Sequence, residues 1–566
     1  MKLGSLCVSI KFGEFIMKDS LADIDFSIGA PEAWEPRERN SLSSNFLPIE
    51  PFFRVSEPDK VFLCGRRGSG KSAIALMLEV SSSCEYKEAI QGEIEEYGAY
   101  MDIVRILSGK RDEGIDIDIR NAIRRLWLWV LPVKAMQTVL EETGKRGQSF
   151  DNDLKAMQAY FTSLPEPLHQ NSRIGDLLSN IFNHALSILG NDGVAMFNTY
   201  LVNLTGSQEF LVALAALSET TKSKQVLLVF DTLESYRVFQ PYMVESLRGI
   251  LEAIIAFLAD RRMEGIFLKF FIPAEVYSEI FAGFPGKVQS RAVFLTWRIM
   301  DLISMLSRRF LRILIRTEAI SEKDIGKLTD LVDKAYESKD DRYLREEFWY
   351  KTGFLPRNIT NRLSASEDCF AYMFRHTQRR PRDVITQMQS IINEARFREE
   401  FPYISQDRVI SGVHNDMSLL QIIADALIPY EGCLSGSLIA SARSIFYQRP
   451  IIMNGRELKR FAHELYNIYP LEHIGPEIFL NLLLDCGVVG TVVEDKKSLD
   501  RKELYCKANF EYLIQGEIPL ADRFLYCMHP AMGNIFHMSP VEGYGVIYPM
   551  PEGDLWLENT VGITRS

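Results

Sequence analysis

The chain has 566 residues, 47% of them hydrophobic and 25% charged, and a net charge of -11. That length accommodates several domains, each with a core of its own. The acidic balance excludes a molecule that is basic all over, so any nucleic-acid contact has to come through a local basic patch or a partner.

In chain order, the N-terminus "MKLGSLCVSIKFGEFIMKD" lacks the long apolar core of a signal peptide. The longest apolar runs, "LWLWVLPV" and "GILEAIIAFLAD", are too short to cross a bilayer. The expectation is a cytoplasmic protein with no membrane association. Eight cysteines stand singly, without a C-x-x-C pair, which speaks against a zinc ribbon or a dithiol redox site.

Residues 1–55 read as an irregular lead-in, with "SIGAPEAWEPRERNSLSSN" rich in Pro, Ser and charge. A short apolar strand over Val61–Cys64 follows, then a Gly-rich loop, then a helical pattern from Lys71. Residues from about 85 to 223 show apolar residues at three- and four-residue spacing and read as a long helical insertion. The run "QVLLVFD", Gln225–Asp231, has the continuous apolar character of a strand covered on both faces. A helix near 243–261 and two further strands, "GIFLKFFIPAE" and "RAVFLTW", complete an α/β pattern with a mostly parallel sheet. Residues 56–300 therefore form the core, and 301–400 a helical lid or sensor region.

The last part, 401–566, has helical patterns near 435–446, 456–466 and 476–486. They precede "VVGTVVED", a charged tip "KKSLDRK" and "ELYCKANFEYL". Helices followed by a hairpin are the order of a winged helix. The third helix, "PEIFLNLLLDCG", contains no Lys or Arg, and the tip mixes Lys496, Lys497, Arg501 and Lys502 with Glu494, Asp495 and Asp500. A reading helix needs basic side chains, so docking on the core or on a partner protein is the better reading than DNA contact. The tail "PMPEGDLWLENTVGITRS" reads as loosely held, and His529 as a structural histidine.

The chemistry concentrates at Gly65-Arg66-Arg67-Gly68-Ser69-Gly70-Lys71-Ser72, which satisfies G-x-x-x-x-G-K-[ST] between a strand and a helix. Glycines let the backbone turn its N–H groups inward around a phosphate, and the helix start adds its positive end. Lys71 is placed to reach the β/γ-phosphates, and the Ser72 hydroxyl to hold Mg²⁺ with Asp231 from the tip of "VLLVFD". Ala73 completes the cradle. Glu234, three residues further, either polarises the attacking water or caps the next helix. Arginines commonly sense the γ-phosphate. Two clusters are candidates, "SRRFLR" with Arg308, Arg309 and Arg312, and "FRHTQRRPRD" with Arg375, Arg379, Arg380 and Arg382. Of these, Arg309, Arg380 and Arg382 are the ones assigned to the nucleotide; solvated salt bridges are the alternative for each. Arg66 and Arg67 sit at the crest of the loop, open to phosphates, to a neighbouring subunit or to solvent.

These pieces, in order, resemble bacterial P-loop ATPases of the STAND and Orc/Cdc6-like AAA+ neighbourhood. The resemblance lies in Ala30–Ala33 ("APEA"), Gly65–Ser72, Asp231 and Glu234 in "DTLE", "FFIPAEVY", and Arg380–Asp383 ("RPRD"). It covers roughly residues 20–400. It implies an α/β P-loop NTPase fold of the ASCE type, Mg-ATP as ligand, a switch-like and often slow ATPase, and homo-oligomerisation. It also implies an effector or other protein subunit as partner, as in anti-phage defence. Relatives carry an arginine after the strand matching "LKFFIPAE"; here Pro273 stands there, with Lys269 inside the strand, which counts against efficient hydrolysis but not against ATP binding. The alternatives are an Orc-like DNA-loading or repair ATPase and a scaffold that holds ATP with negligible turnover.

Overall fold

The computed structural model describes residues 26–29, 33–35, 42–43, 45–91, 103–104, 106–107, 118–164, 173–189, 193–231, 242–338, 343–420, 445–468, 476–493, 505–514, 518–549 and 564–565. Glu234, Ala30, most of the helical pattern at 435–446 and the charged tip at 494–502 lie outside the described residues.

The first sheet is built from β1 (Phe62–Gly65), β2 (Tyr86–Gln91), β3 (Val226–Asp231), β4 (Ile266–Pro273) and β5 (Ala292–Phe294). Their order is β2-β3-β4-β1-β5, and every pairing is parallel. Along β3, Val226, Leu228 and Phe230 enter one apolar cluster, while Leu227 and Val229 enter another on the opposite face. This is the period-two division of a strand covered on both sides, and it explains the unbroken apolar run. Trp127 seals one face, with Phe230 and Phe270 each 6.0 Å from its ring centroid.

The stretch 85–223 is not helical throughout, because its first residues form β2, which lies at the edge of the sheet. Charged residues interrupt "YKEAIQ" and hide its strand character. In the structure Glu88 ion-pairs with buried Lys134 at 2.6 Å and accepts from Thr138 Oγ1 at 2.6 Å. Both partners come from the helix Ile119–Lys145 packed over the sheet. Helices Asn152–Ser163, Ile174–Leu189, Gly193–Gly206 and Gln208–Ser223 follow. Among the described residues no single helix is long and apolar enough to cross a membrane; the consecutive segments Phe197–Gly206 and Gln208–Ser223 have the length and composition only together, and they meet at a 55° bend.

The helix Ile299–Thr317 covers the second face of the sheet. Beyond it lie the hairpin strands β6 (Asn358–Thr360) and β7 (Ala365–Asp368), and the helix Pro381–Phe397, whose proline occupies the first turn, where a missing N–H costs nothing. The C-terminal sheet comprises β8 (Ile452–Asn454), β9 (Val489–Val492), β10 (Tyr505–Asn509), β11 (Leu525–Met528) and β12 (Val546–Pro549), in the order β12-β10-β9-β11-β8. It contains the antiparallel β9–β10 pair expected of a hairpin. The other three strands go beyond a three-helix-and-hairpin pattern. β11 pairs with β8 and β9, and β12 runs parallel to β10.

The extreme C-terminus departs from the loosely held tail read in the sequence. Thr564–Arg565 forms β13, antiparallel to Ser366 and Ala365 of β7. The rest of that tail, 550–563, lies outside the described residues. His529 is structural, as expected. It caps the helix Pro530–Ile535 through its side chain and meets the Tyr512 hydroxyl at 3.0 Å.

Candidate nucleotide site

β1 ends at Gly65, and the chain reverses through residues 66–70 into the helix Lys71–Ser81. Gly68 (φ 77°) and Gly70 (φ 96°) take left-handed conformations that cost other residues strain. Space is tight as well. A Cβ on Gly65 would stand 2.7 Å from Ser69 Oγ, and one on Gly68 would stand 3.1 Å from Arg382 Cβ. The first turn of the helix carries no acidic side chain, so nothing there repels an anion from amides that lack intrahelical acceptors.

Lys71 is 2% exposed. Its Nζ curls back to donate to the carbonyls of Gly65 (2.8 Å) and Arg66 (3.1 Å). Beneath it, burial pushes the Cys64 thiol well up, against the lowering effect of the Lys71 charge, so Cys64 is a neutral core residue. Trp297 donates from Nε1 to the Ser69 carbonyl at 2.7 Å and so braces the crest of the loop.

β4 lies between β1 and β3, so Asp231 stands one strand removed from the loop, at the carboxyl end of the sheet. Parallel α/β sheets place ligands at that end. Asp231 is 6% exposed and accepts from Trp34 Nε1 at 3.2 Å through Oδ2. Asp231, Lys71, Ser72 and Ala73 all line one cavity of about 200 Å³. Its lining also includes the apolar side chains of Leu42, Phe46, Leu47 and Ile49 of the lead-in, with Met305 and Ile385.

The arginines divide. Arg309 and Arg382 line the cavity. Arg309 also donates to the Ile28 carbonyl at 3.0 Å. Arg382 uses its backbone N–H on the Gly68 carbonyl at 3.2 Å. Arg380 is turned away from the cavity. Its Nε and Nη2 bond both oxygens of buried Asp383 at 3.0 and 2.9 Å, and its Nη1 donates to the Arg67 carbonyl at 3.0 Å. It braces the back of the phosphate loop. Arg66 is likewise turned away, donating at 2.7 Å to the carbonyl of Asp485, the last residue of the helix Pro476–Asp485. A cation at the negative end of a helix is a favoured arrangement. Arg67 does line the cavity.

The other arginines serve structure. Arg308 lies 3.7 Å from Asp333, and Arg312 donates to Asn45 Oδ1 at 2.6 Å. Arg375 pairs with buried Glu367 at 3.2 Å, and Arg379 donates to the Pro549 carbonyl at 2.7 Å. Gln378 donates to the Cys486 carbonyl at 2.8 Å. Residues 378–382 therefore touch both the phosphate loop and the C-terminal sheet region. Lys269, considered near the sensor position, is remote from the cavity and donates at 2.6 Å to the carbonyls of both Glu57 and Lys60.

Sequence reasoning missed Trp34, Trp297 and the lead-in wall. The apolar run "NFLPIEPFF" was the signal for the wall. Its Pro residues and short length conceal any period. The two indoles carry no local pattern.

No protein-family profile matches the chain, and no curated protein matches it. One solved structure that aligns with it is the Aeropyrum pernix ORC2 protein in ADPNP-ADP complexes. The alignment covers 89% of this chain and 94% of that one at 12% identity, with a TM-score of 0.30, a likeness too slight to argue from. What the site itself defines is an α/β P-loop fold: a phosphate-binding loop and a strand-tip carboxylate facing one cavity across a parallel sheet.

Proposed function

We propose that this protein binds ATP with Mg²⁺ in the cavity at residues 65–73 and works as a slow ATPase switch. The observation that carries this is the convergence of Lys71, Ser72 and Asp231 on one cavity that is also lined by apolar side chains of the lead-in. A triphosphate needs the first set of side chains and a base the second. Arg67, which lines the cavity, has its buried Nε without a hydrogen-bond partner among the described residues, which fits a polar ligand there. Ser72 and Asp231 offer the hard oxygen donors that Mg²⁺ prefers. The cation, when bound, neutralises phosphate charge. Lys71 would leave the Gly65 and Arg66 carbonyls for the phosphates, and the loop amides would hold them. Glu234 is the residue assigned to the attacking water.

The order of motifs supports a switch that oligomerises or controls an effector subunit, as in anti-phage defence. DNA loading is the weaker reading, since the end of the helix Pro476–Asp485 is engaged by Arg66. The test is direct. Wild-type chain should bind ATP with Mg²⁺ and hydrolyse it slowly, and Lys71→Ala should lose both binding and biological output. Normal output from a variant shown not to bind ATP would sink the switch. Affinity purification from the native host under ATP identifies the effector; recovery of duplex DNA alone would favour the loader.

A further inference from the structure

The lead-in does more than wall the cavity. Trp34 precedes Asp231 by 197 residues, yet its Nε1–H donates to Asp231 Oδ2 at 3.2 Å, and both residues line the same cavity. An indole N–H can only donate. It therefore holds one oxygen of the carboxyl group in place. Donors behind a ligating carboxylate set its orientation, and their loss typically costs about 10–100-fold in metal affinity.

Described residues before and after Trp34 in the sequence are tied to two helices. Upstream, the Ile28 N–H donates to Gln389 Oε1 at 2.8 Å, and the Ile28 carbonyl accepts from Arg309. Downstream, Asn45 accepts from Arg312. Phe26 lies under the Arg396 guanidinium, 3.9 Å from its ring centroid. Four side chains from the helices Ile299–Thr317 and Pro381–Phe397 thus fasten the segment that carries Trp34.

We propose that Trp34 is a positioning residue for the divalent cation, fixing the Asp231 carboxylate so that its other oxygen serves the metal. This rests on the Mg-nucleotide reading of the cavity. It makes the lead-in part of the metal site, although no residue of it touches the metal.

The test uses the full chain and Mn²⁺ as the probe, read by electron paramagnetic resonance with saturating ADP. Nucleotide affinity without metal is measured separately in EDTA. Trp34→Phe should weaken Mn²⁺ about 10-fold and leave metal-free ADP affinity within about twofold, since the aromatic ring remains. Asp231→Asn should weaken Mn²⁺ at least as much. The double variant should be no weaker than Asp231→Asn alone, because both act through one carboxylate. Unchanged Mn²⁺ affinity in Trp34→Phe overturns the proposal, as does a full additional loss on the Asp231→Asn background. An equal loss of metal-free ADP affinity assigns Trp34 to the nucleotide instead and also overturns it. Wild-type chain that binds neither ADP nor Mn²⁺ overturns the nucleotide reading itself, a result distinct from all of these. Should Trp34→Phe not fold, indole-¹⁵N tryptophan labelling of the wild type reads the same contact. One indole resonance should shift on adding Mg²⁺ with ADP and fail to do so in Asp231→Asn; identical spectra in the two proteins refute the contact.

Discussion

The phosphate wall, residues 65–73, and the lead-in wall, residues 33–49, line one cavity but are built by different means. The first is local. A strand, a glycine loop and a helix start follow one another, and each residue type has a reason within its own eight-residue window. The second is held from a distance by Arg309 and Arg312, which bond Ile28 and Asn45. The first wall takes its shape from its own sequence and is braced from outside by Trp297 and Arg380; the second carries no local motif and takes its place from the helix that bonds it. Four experiments press on that difference.

The largest effect is expected behind the phosphate wall. Arg380 and Asp383 are 5% and 0% exposed at their side chains. Arg380→Ala strands a buried carboxylate and should cost about 3–5 kcal/mol of unfolding free energy, read by urea titration. A loss below about 1 kcal/mol would show that the loop stands without its brace. At the phosphate wall itself, Lys71→Ala removes a charge-assisted contact. It should weaken ATP about 100-fold by calorimetry, with the melting temperature little changed.

The lead-in wall should respond more gently. Leu47→Ala deletes buried apolar surface facing the cavity, and ATP affinity should fall about 10-fold. Arg312→Ala, which removes the donor to Asn45 Oδ1, should reproduce part of that fall if the wall is hung from its helix. No fall in Arg312→Ala would make the lead-in self-supporting.

The smallest effect concerns pH and lies away from both walls. Burial lowers His529 from its ordinary value of 6.5 to about 3 and His414 to about 4, and holds His376 far down as well. Each stays neutral when folded and gains a proton on unfolding below its ordinary value. Their stabilising contribution is therefore whole above about pH 6.5 and lost as pH falls towards 4. Thermal melting of the wild type at pH 7.5 and 5 checks the sign; a higher melting temperature at pH 5 would contradict it.

The legible parts were those with local causes. The P-loop requires its glycines and lysine at set spacing, β3 requires an apolar run because helices cover both its faces, and Pro381 opens a helix because its φ is already right. β2 escaped notice because an edge strand can carry Lys87 and Glu88, and its stability comes from Lys134 and Thr138 on another element. The arginines misled for a related reason. A guanidinium has five donors and reads in sequence as a phosphate ligand, yet Arg66 and Arg380 find carbonyls and a carboxylate nearer than the cavity. What the sequence by itself determined was the phosphate cradle and the strand that brings Asp231 towards it. Only the tertiary structure decided which arginines face the ligand, which segment closes the apolar side, and that Trp34 meets Asp231, because those outcomes depend on long-range packing, to which no local period corresponds.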